Sequence, residues 1–509
     1  MLGRRDFLGR SGLALAGLTT GCATTPRLAT PTGQITGNAL VADLQERTFR
    51  FFWDTTDPAT GLAPDRWPTP SFSSIAAIGF ALTAYPIGVV HGWITREQAR
   101  ARTLTTLQFL ADAPQGDGAT GFSGYRGFFY HFLGVTKGQR FARCELSTVD
   151  TALLLGGTLF AQSWFDGDHP DEVQIRALAE RLYTAVEWTW ITPRAPLLSM
   201  GWHPETGFIK SDWDVYNEGM LLYVLALGSP THPLPEGTWQ AWSSRFESSW
   251  SDRWGQPHLH FPPLFGHQYS HVWIDFRGIR DAYIATHDID YFENSRRAAH
   301  AQRAYATANP GGWRGYDAEV WGLTACDGPG DFTTRIAGVD RTFYSYSARG
   351  PGDRDDGTIA PTAAAASIAF APDIATQAIG AMHRRYGAGI YGRYGFADAF
   401  NPTLGTIRPC LSAPGAQAWS DRSQRRLGRR RPPRHRPGPD RRDDRECAVG
   451  AHLEHDASQS AHPARAAARR LFRRLARLNI AVGAACGRRY KREQWQHRCP
   501  GQHSTRDPA

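Results

Sequence analysis

The residues with the most chemical potential are carboxylic acids set among aromatic rings. The run Gly201-Trp202-His203-Pro204-Glu205-Thr206-Gly207-Phe208 leads through Asp212, Trp213 and Asp214 to Tyr216, Asn217 and Glu218, just before an apolar stretch at 220–227. Packing against Trp213, Tyr216 and Tyr223 would partly desolvate Glu218 and keep it protonated, as a general acid requires. The opposing pull is the dipole of the helix that follows, which favours the ionised form. We expect the first effect to win and read Glu218 as the acid, with Trp202, Glu205 and Tyr216 as substrate contacts. A second carboxylate pair, Glu145 and Asp150, brackets Ser147 at a loop–helix junction. These two are catalytic carboxylates facing a cleft, or Ser147-x-x-Asp150 is only a helix cap.

Two further runs suit binding. Phe265-Gly266-His267-Gln268-Tyr269-Ser270-His271 continues to Asp275 and Arg277. Histidines four apart could hold zinc, but the HExxH arrangement that would make this specific is missing. We therefore expect no metal and read His267, Gln268, His271, Asp275 and Arg277 as a wall for sugar hydroxyls, with Asp275–Arg277 equally able to be a structural ion pair. In Glu319-Val320-Trp321 through Asp327-Gly328-Pro329, Trp321 could stack on a sugar and Asp327 could bind hydroxyls or cap the turn. Asp355 and Asp356 read as turn formers. Phosphate-cradling loops, nucleophile elbows and dinucleotide fingerprints are absent, so no cofactor is expected.

These groups must be positioned by helices. Apolar residues recur at helical spacing over 74–91, 95–112, 147–164, 171–191, 217–227, 236–250, 290–307 and 361–386, with Ser147 and Asp171 as candidate N-caps. Gly- and aromatic-rich loops separate them. Neither a βαβ alternation nor a series of short strands is evident, which predicts an all-α toroid of helix pairs. The small and aliphatic residues at 151–157 and 361–370 suit its inner layer.

The net charge of +9 is misleading about partners. Residues 403–509 hold 24 Lys+Arg against 9 Asp+Glu, leaving 33 of the 57 basic and 39 of the 48 acidic residues in 1–402. The body is mildly acidic, so nucleic acid is not an expected partner. Arg4-Arg5-Asp6-Phe7-Leu8 reads as a twin-arginine signal, and Leu18-Thr19-Thr20-Gly21-Cys22 as a lipoprotein processing site. The expectation is export to the periplasm or an outer-membrane anchor, with lipid on Cys22 as the sole membrane attachment. Residues 23–39 read as a linker. Of the seven cysteines only Cys144 and Cys326 lie in the body, enough for one disulfide.

The tail, 403–509, breaks the helical grammar and reads as basic and disordered. Residues 435–456, HRPGPDRRDDRECAVGAHLEHD, have a further property. Codons exist for them whose one-base-shifted reading spells IDQGPIVAMIENARSGLIWNT, a well-formed amphipathic helix with flanks. We read the frame as slipping between Pro402 and His435, with the remainder translated out of frame.

The motifs GWHPETGF, DVYNEG, FGHQYSHVWIDFRGIRD, EVWGLTACDGP, DDGTIAPTAAAASIAFAPD and GRYGFADAFNP, spread over 40–402, resemble the bacterial glucoamylase-like domain family, which includes the endo-β-1,2-glucanases of glycoside hydrolase family 144. The resemblance implies an (α/α)6 barrel that hydrolyses β-1,2-glucan with inversion, an acid and a base flanking a water. It points to Glu218 in Tyr-Asn-Glu as the acid and to Asp150, Glu145 and Asp327 as cleft carboxylates. It also implies that a D-Q-G-P turn and a final I-E-N-x-R-S-G-L-I-W helix follow the FNP motif. The printed chain lacks these and the shifted frame restores them, so the last barrel helix is expected to be lost. Alternatives from other classes are a non-catalytic carbohydrate-binding or inactive homologue, and a polysaccharide lyase on the same barrel.

Overall fold

The structure, a computed structural model, describes residues 37–405 apart from 69 and 70. The signal, most of the linker and the tail, with Cys22 and the shifted-frame segment, lie outside the described residues.

Eleven α-helices carry the described chain: α1 (Asn38–Thr55), α2 (Ile75–Val90), α3 (Arg96–Ala111), α4 (Thr148–Trp164), α5 (Pro170–Thr184), α6 (Met220–Gly228), α7 (Thr238–Ser243), α8 (Ala282–Ala285), α9 (Tyr291–Ala308), α10 (Pro361–Ala365) and α11 (Pro372–Ile390). Local chemistry sets their ends. Ser147 caps α4 by accepting from the Asp150 amide, and Thr95 and Gln98 form a reciprocal capping box on α3. At α5 the cap is His169, not the expected Asp171. Pro170 takes the first helical position, where its missing N–H costs nothing, and Asp171 falls in the first turn.

The predicted helix over 361–386 is two helices. After α10 the chain tightens into a 3-10 turn, Ala366–Ala369, and Pro372 starts α11 afresh because proline disfavours a helical residue before it. Short strands, absent from the sequence reading, tie the loops together. Leu146–Ser147, Gly201–His203 and Gly207–Phe208 form a three-stranded sheet, and Phe332–Ile336 pairs with Val339–Phe343 as a hairpin.

The helices make two layers. α2, α4 and α6 are aliphatic on nearly every side and pack on one another as an inner set. α1, α3, α5 and α11 lie outside them; α1 and α11 carry an apolar face and a polar one. The α2–α4 contact is close because two glycines meet there. A Cβ on Gly79 would sit 2.3 Å from the Leu153 carbonyl oxygen, and one on Gly157 2.0 Å from that of Gly79. Cys144 and Cys326 are both buried free thiols, so the one disulfide that the sequence allowed is not formed between them.

Candidate active site

The N-terminal end of α4 and the segment entering α6 bring the acids together. One cleft is lined by Asp65, Arg66, His131, Glu145, Asp150, His203, Tyr216, Glu218, Tyr269, Asp327, Tyr346 and Asp398. Tyr216 lines it as expected, although its hydroxyl also meets His267 Nδ1 at 3.2 Å.

Glu218 lies just ahead of α6, with part of its surface open to the cleft. Desolvation by the surrounding protein, reinforced by the Asp150 charge and opposed by His131, pushes its carboxyl up to about 8. Among the described residues no donor hydrogen-bonds to that carboxyl, and desolvation is the largest influence on it.

Glu145 and Asp150 are organised by His131, which the sequence reading missed. Its Nδ1 lies 2.8 Å from Glu145 Oε1 and its Nε2 3.5 Å from Asp150 Oδ2. Desolvation would discharge the imidazole, but Asp150 and Glu145 outweigh it and raise the ring to about 9. The same contest runs in reverse at Glu145, where desolvation is overcome by imidazolium and the carboxyl falls to about 2. Asp150 also accepts from the Ser147 hydroxyl, so the Ser147–Asp150 pair caps α4 and at the same time places a carboxylate at the cleft.

Across the cleft, both carboxylate oxygens of Asp327 accept from the one nitrogen Arg66 Nη1, at 2.7 and 2.6 Å, while Arg66 Nε lies 3.2 Å from Asp65. Asp398 accepts from the Asp327 amide at 2.8 Å. Desolvation by the walls around it raises Asp398 to about 6, a rise tempered by the hydrogen bond from the Asp327 amide and by the charges of Arg66 and Arg349. Tyr269 stands between the two sides: burial raises its phenol, and Glu218, Asp398, Asp150 and Asp65 all add to the rise. Half-exposed Trp67 lines the rim and meets Tyr394 edge-on. Asp65, Arg66, Trp67, His131, Tyr269, Tyr346 and Asp398 were not singled out from sequence. The Asp-Arg-Trp triplet at 65–67 and the Asp inside GFADAFNP were the available signals.

Eight expected contacts do not line the cleft. Trp202 packs with Tyr125 and Trp190, at 5.4 and 5.7 Å between ring centroids, and Glu205 is held by Arg140 at 2.8 Å. His267 is buried, its protonation suppressed by desolvation, and it accepts from the Phe261 amide. Gln268 donates to Ala363 O and Ser367 Oγ, pinning its segment to α10 and the turn after it. His271, which burial pushes down to about 4, meets Ser295 Oγ at 2.8 Å. Asp275 and Arg277 form the structural ion pair, at 2.7 and 2.6 Å. Trp321 is fully buried and offers no face to a sugar. Helical spacing identified these segments, but which face turns to the cleft is a tertiary outcome. The described residues contain no group of His, Cys, Asp or Glu able to hold a metal ion.

A cleft of carboxylates and aromatic rings, cut into a two-layered helical body, is the arrangement of a carbohydrate-active enzyme fold. Residues 210–424 match the family model Glycoamylase, described as "Putative glucoamylase". The crystal structure of a "putative glucoamylase" from Bacteroides uniformis is 31% identical, with a TM-score of 0.64 over 74% of this chain and 88% of that one. The chain therefore belongs to the glucoamylase-like family. An exo-β-1,2-glucooligosaccharide sophorohydrolase (non-reducing end) from Parabacteroides distasonis is 30% identical over 408 residues, covering 74% of this chain and 53% of that protein. The chain thus spans about half the length of this curated relative. An endo-β-1,2-glucanase from Chitinophaga pinensis, solved with sophorotriose and glucose, is 25% identical with a TM-score of 0.62, over 74% of this chain and 89% of that one.

Proposed function

We propose that the protein is a glycoside hydrolase of β-1,2-glucan, acting within the chain and with inversion. The observation that carries this reading is the pairing of Glu218, held protonated to about 8, with Asp398, raised only to about 6, in one cleft. Environments that push two carboxyl pKa values apart create an acid and a base at one pH. Glu218 donates its proton to the glycosidic oxygen as the C1–O bond breaks. Asp398 takes a proton from the water that attacks C1 from the opposite face, which leaves the product inverted and Glu218 ionised. Asp150 supplies the negative charge that helps keep Glu218 protonated, and Glu145 anchors His131. The β-1,2-linked substrates of the Parabacteroides and Chitinophaga relatives support the linkage.

The test is incubation with linear β-1,2-glucan of a chain whose 435–456 segment is read in the shifted frame. Short oligosaccharides of inverted anomeric configuration, with an early fall in viscosity, are expected. Sugar binding without any product from this or other β-glucans would rule out hydrolysis.

Activity is expected to follow a bell. Its acidic limb lies at about pH 6, where Asp398 must ionise, and its basic limb at about 8, where Glu218 loses its proton. Asp150→Asn removes a charge that raises the Glu218 pKa, so the basic limb moves to lower pH while the acidic limb moves much less. A pH–rate profile of kcat/KM reads this directly, and an unmoved basic limb rejects the coupling.

For export, the twin-arginine run and the site at Cys22 support a lipid-anchored periplasmic protein. Cys22→Ser should move the protein from the membrane to the soluble fraction of osmotically lysed cells. Unchanged fractionation would speak against the anchor.

A further inference from the structure

Three loops far apart in the chain meet on the wall across from Glu218. Arg66 comes from the connection between α1 and α2, Asp327 from the turn after Ala325–Cys326, and Asp398 from the stretch that follows α11. Arg66 engages two acids there. Its Nη1 serves both carboxylate oxygens of Asp327, and its Nε lies 3.2 Å from Asp65. The main chain of Asp327 then reaches a third acid, its amide donating to Asp398 Oδ2 at 2.8 Å. Asp327 is therefore held through its side chain by Arg66, and holds Asp398 through its backbone. Arg66 is about a third open to solvent, and an ion pair with so exposed a partner adds little to stability. Holding the fold together is thus a weak reason for an arginine at this point.

The charged and titratable groups that face Asp398 are Asp327, Arg66, Arg349, Tyr269 and Tyr346. Of the two cations, Arg349 is fully buried, is paired with Asp356 at 2.8 Å, and does not line the cleft. Arg66 does line it. We propose that Arg66 is a positioning residue for the base: through Asp327 it fixes the direction of the Asp398 carboxylate, and its charge offsets that of Asp327 so that Asp398 can ionise. The inference rests on the reading of Asp398 as the base. Without Arg66 the Asp327 carboxylate would face Asp398 uncompensated, and the proton on Asp398 would be held above its present value of about 6. Less of the enzyme would then carry a competent base at neutral pH.

The experiment titrates the isotope-labelled aspartate carboxyls of the purified full chain by NMR. The Asp398 signal is the one lost in Asp398→Asn. A midpoint near 6 is expected for the parent. Arg66→Gln should raise it by about half a pH unit or more, less than the roughly 1–3 of a buried contacting charge because Arg66 is partly solvated. Asp327→Asn keeps the backbone amide and removes the anion, so the midpoint should fall. Arg66→Lys keeps the charge and should stay close to the parent. A mere clip between loops is broken alike by the glutamine and the asparagine, and would move the midpoint in one direction or not at all. Either of those results overturns the proposal. Should Arg66→Gln fail to fold, a midpoint that does not fall in Asp327→Asn overturns it equally. A parent midpoint at the ordinary 3.8 would instead strike the reading of Asp398 as a raised base, and the proposal with it. Because the titration needs no turnover, failure of Arg66 to act on Asp398 is distinguishable from failure of the hydrolase reading.

Discussion

Glu218→Gln lowers kcat on β-1,2-glucan by about 10³-fold, within the 10²–10⁴ that a positioned general acid contributes. At roughly 1.4 kcal/mol per tenfold this is about 4 kcal/mol of transition-state stabilisation. The amide keeps the size of the side chain and loses only the proton that must reach the leaving oxygen. Three readouts separate this from a structural defect. A glycosyl fluoride, whose leaving group needs little protonation, should recover much of the lost rate. The basic limb near pH 8 should vanish from the residual profile. Stability should hold or improve. The folded carboxyl has a raised pKa, so its contribution is fully present below the unfolded value of 4.5 and is lost as pH rises to about 8. Glutamine removes that loss, and the variant should gain on the parent across this window. Retention of more than about a tenth of kcat would remove Glu218 from the role of acid.

Asp356→Ala should destabilise the protein by about 3–5 kcal/mol, the penalty for breaking a fully buried ion pair from one side. Asp356 and Arg349 are both completely buried, with Arg349 Nε 2.8 Å and Nη2 2.9 Å from the carboxylate. The same carboxylate accepts from the amides of Tyr344 and Thr358. Arg349 in turn donates to the carbonyls of Cys326, Tyr344 and Ser345. Alanine would leave a guanidinium in the interior with its strongest partner gone. The loop that carries Asp327 into the cleft would lose its tie to the loop preceding α10. Equilibrium urea denaturation reads the effect, and a loss below about 1 kcal/mol would show that water replaces the carboxylate. The sequence reading made Asp356 a turn former. It does form the turn, through the Thr358 amide, but the larger role arises from Arg349, seven residues away, and nothing local announces that partner.

Much of this protein is legible before any tertiary structure. Helix periodicity, the Ser147 cap and the apolar run after Glu218 are local properties, set by backbone hydrogen bonding and by side chains within a turn or two of one another. A carboxylate close in sequence to Trp213 and Tyr216 could therefore be singled out as a candidate acid. The grouping of long-range partners could not. His131 meets Glu145 and Asp150 only because a glycine-rich loop folds back onto the start of α4, and Arg66 reaches Asp327 across 261 positions of chain. The same limit explains the residues read into the site that lie outside it. His267, Gln268 and Trp321 have the composition of a sugar-binding wall, but the packing of α9, α10 and their loops turns them inward, where their hydrogen bonds and bulk serve the core. Sequence by itself determined where most helices lie, though not the break after α10, and which acid has aromatic neighbours along the chain, because those depend on near neighbours. The tertiary structure alone decided which faces meet the cleft and which carboxylates share a proton balance. Those depend on contacts that only closure of the chain creates.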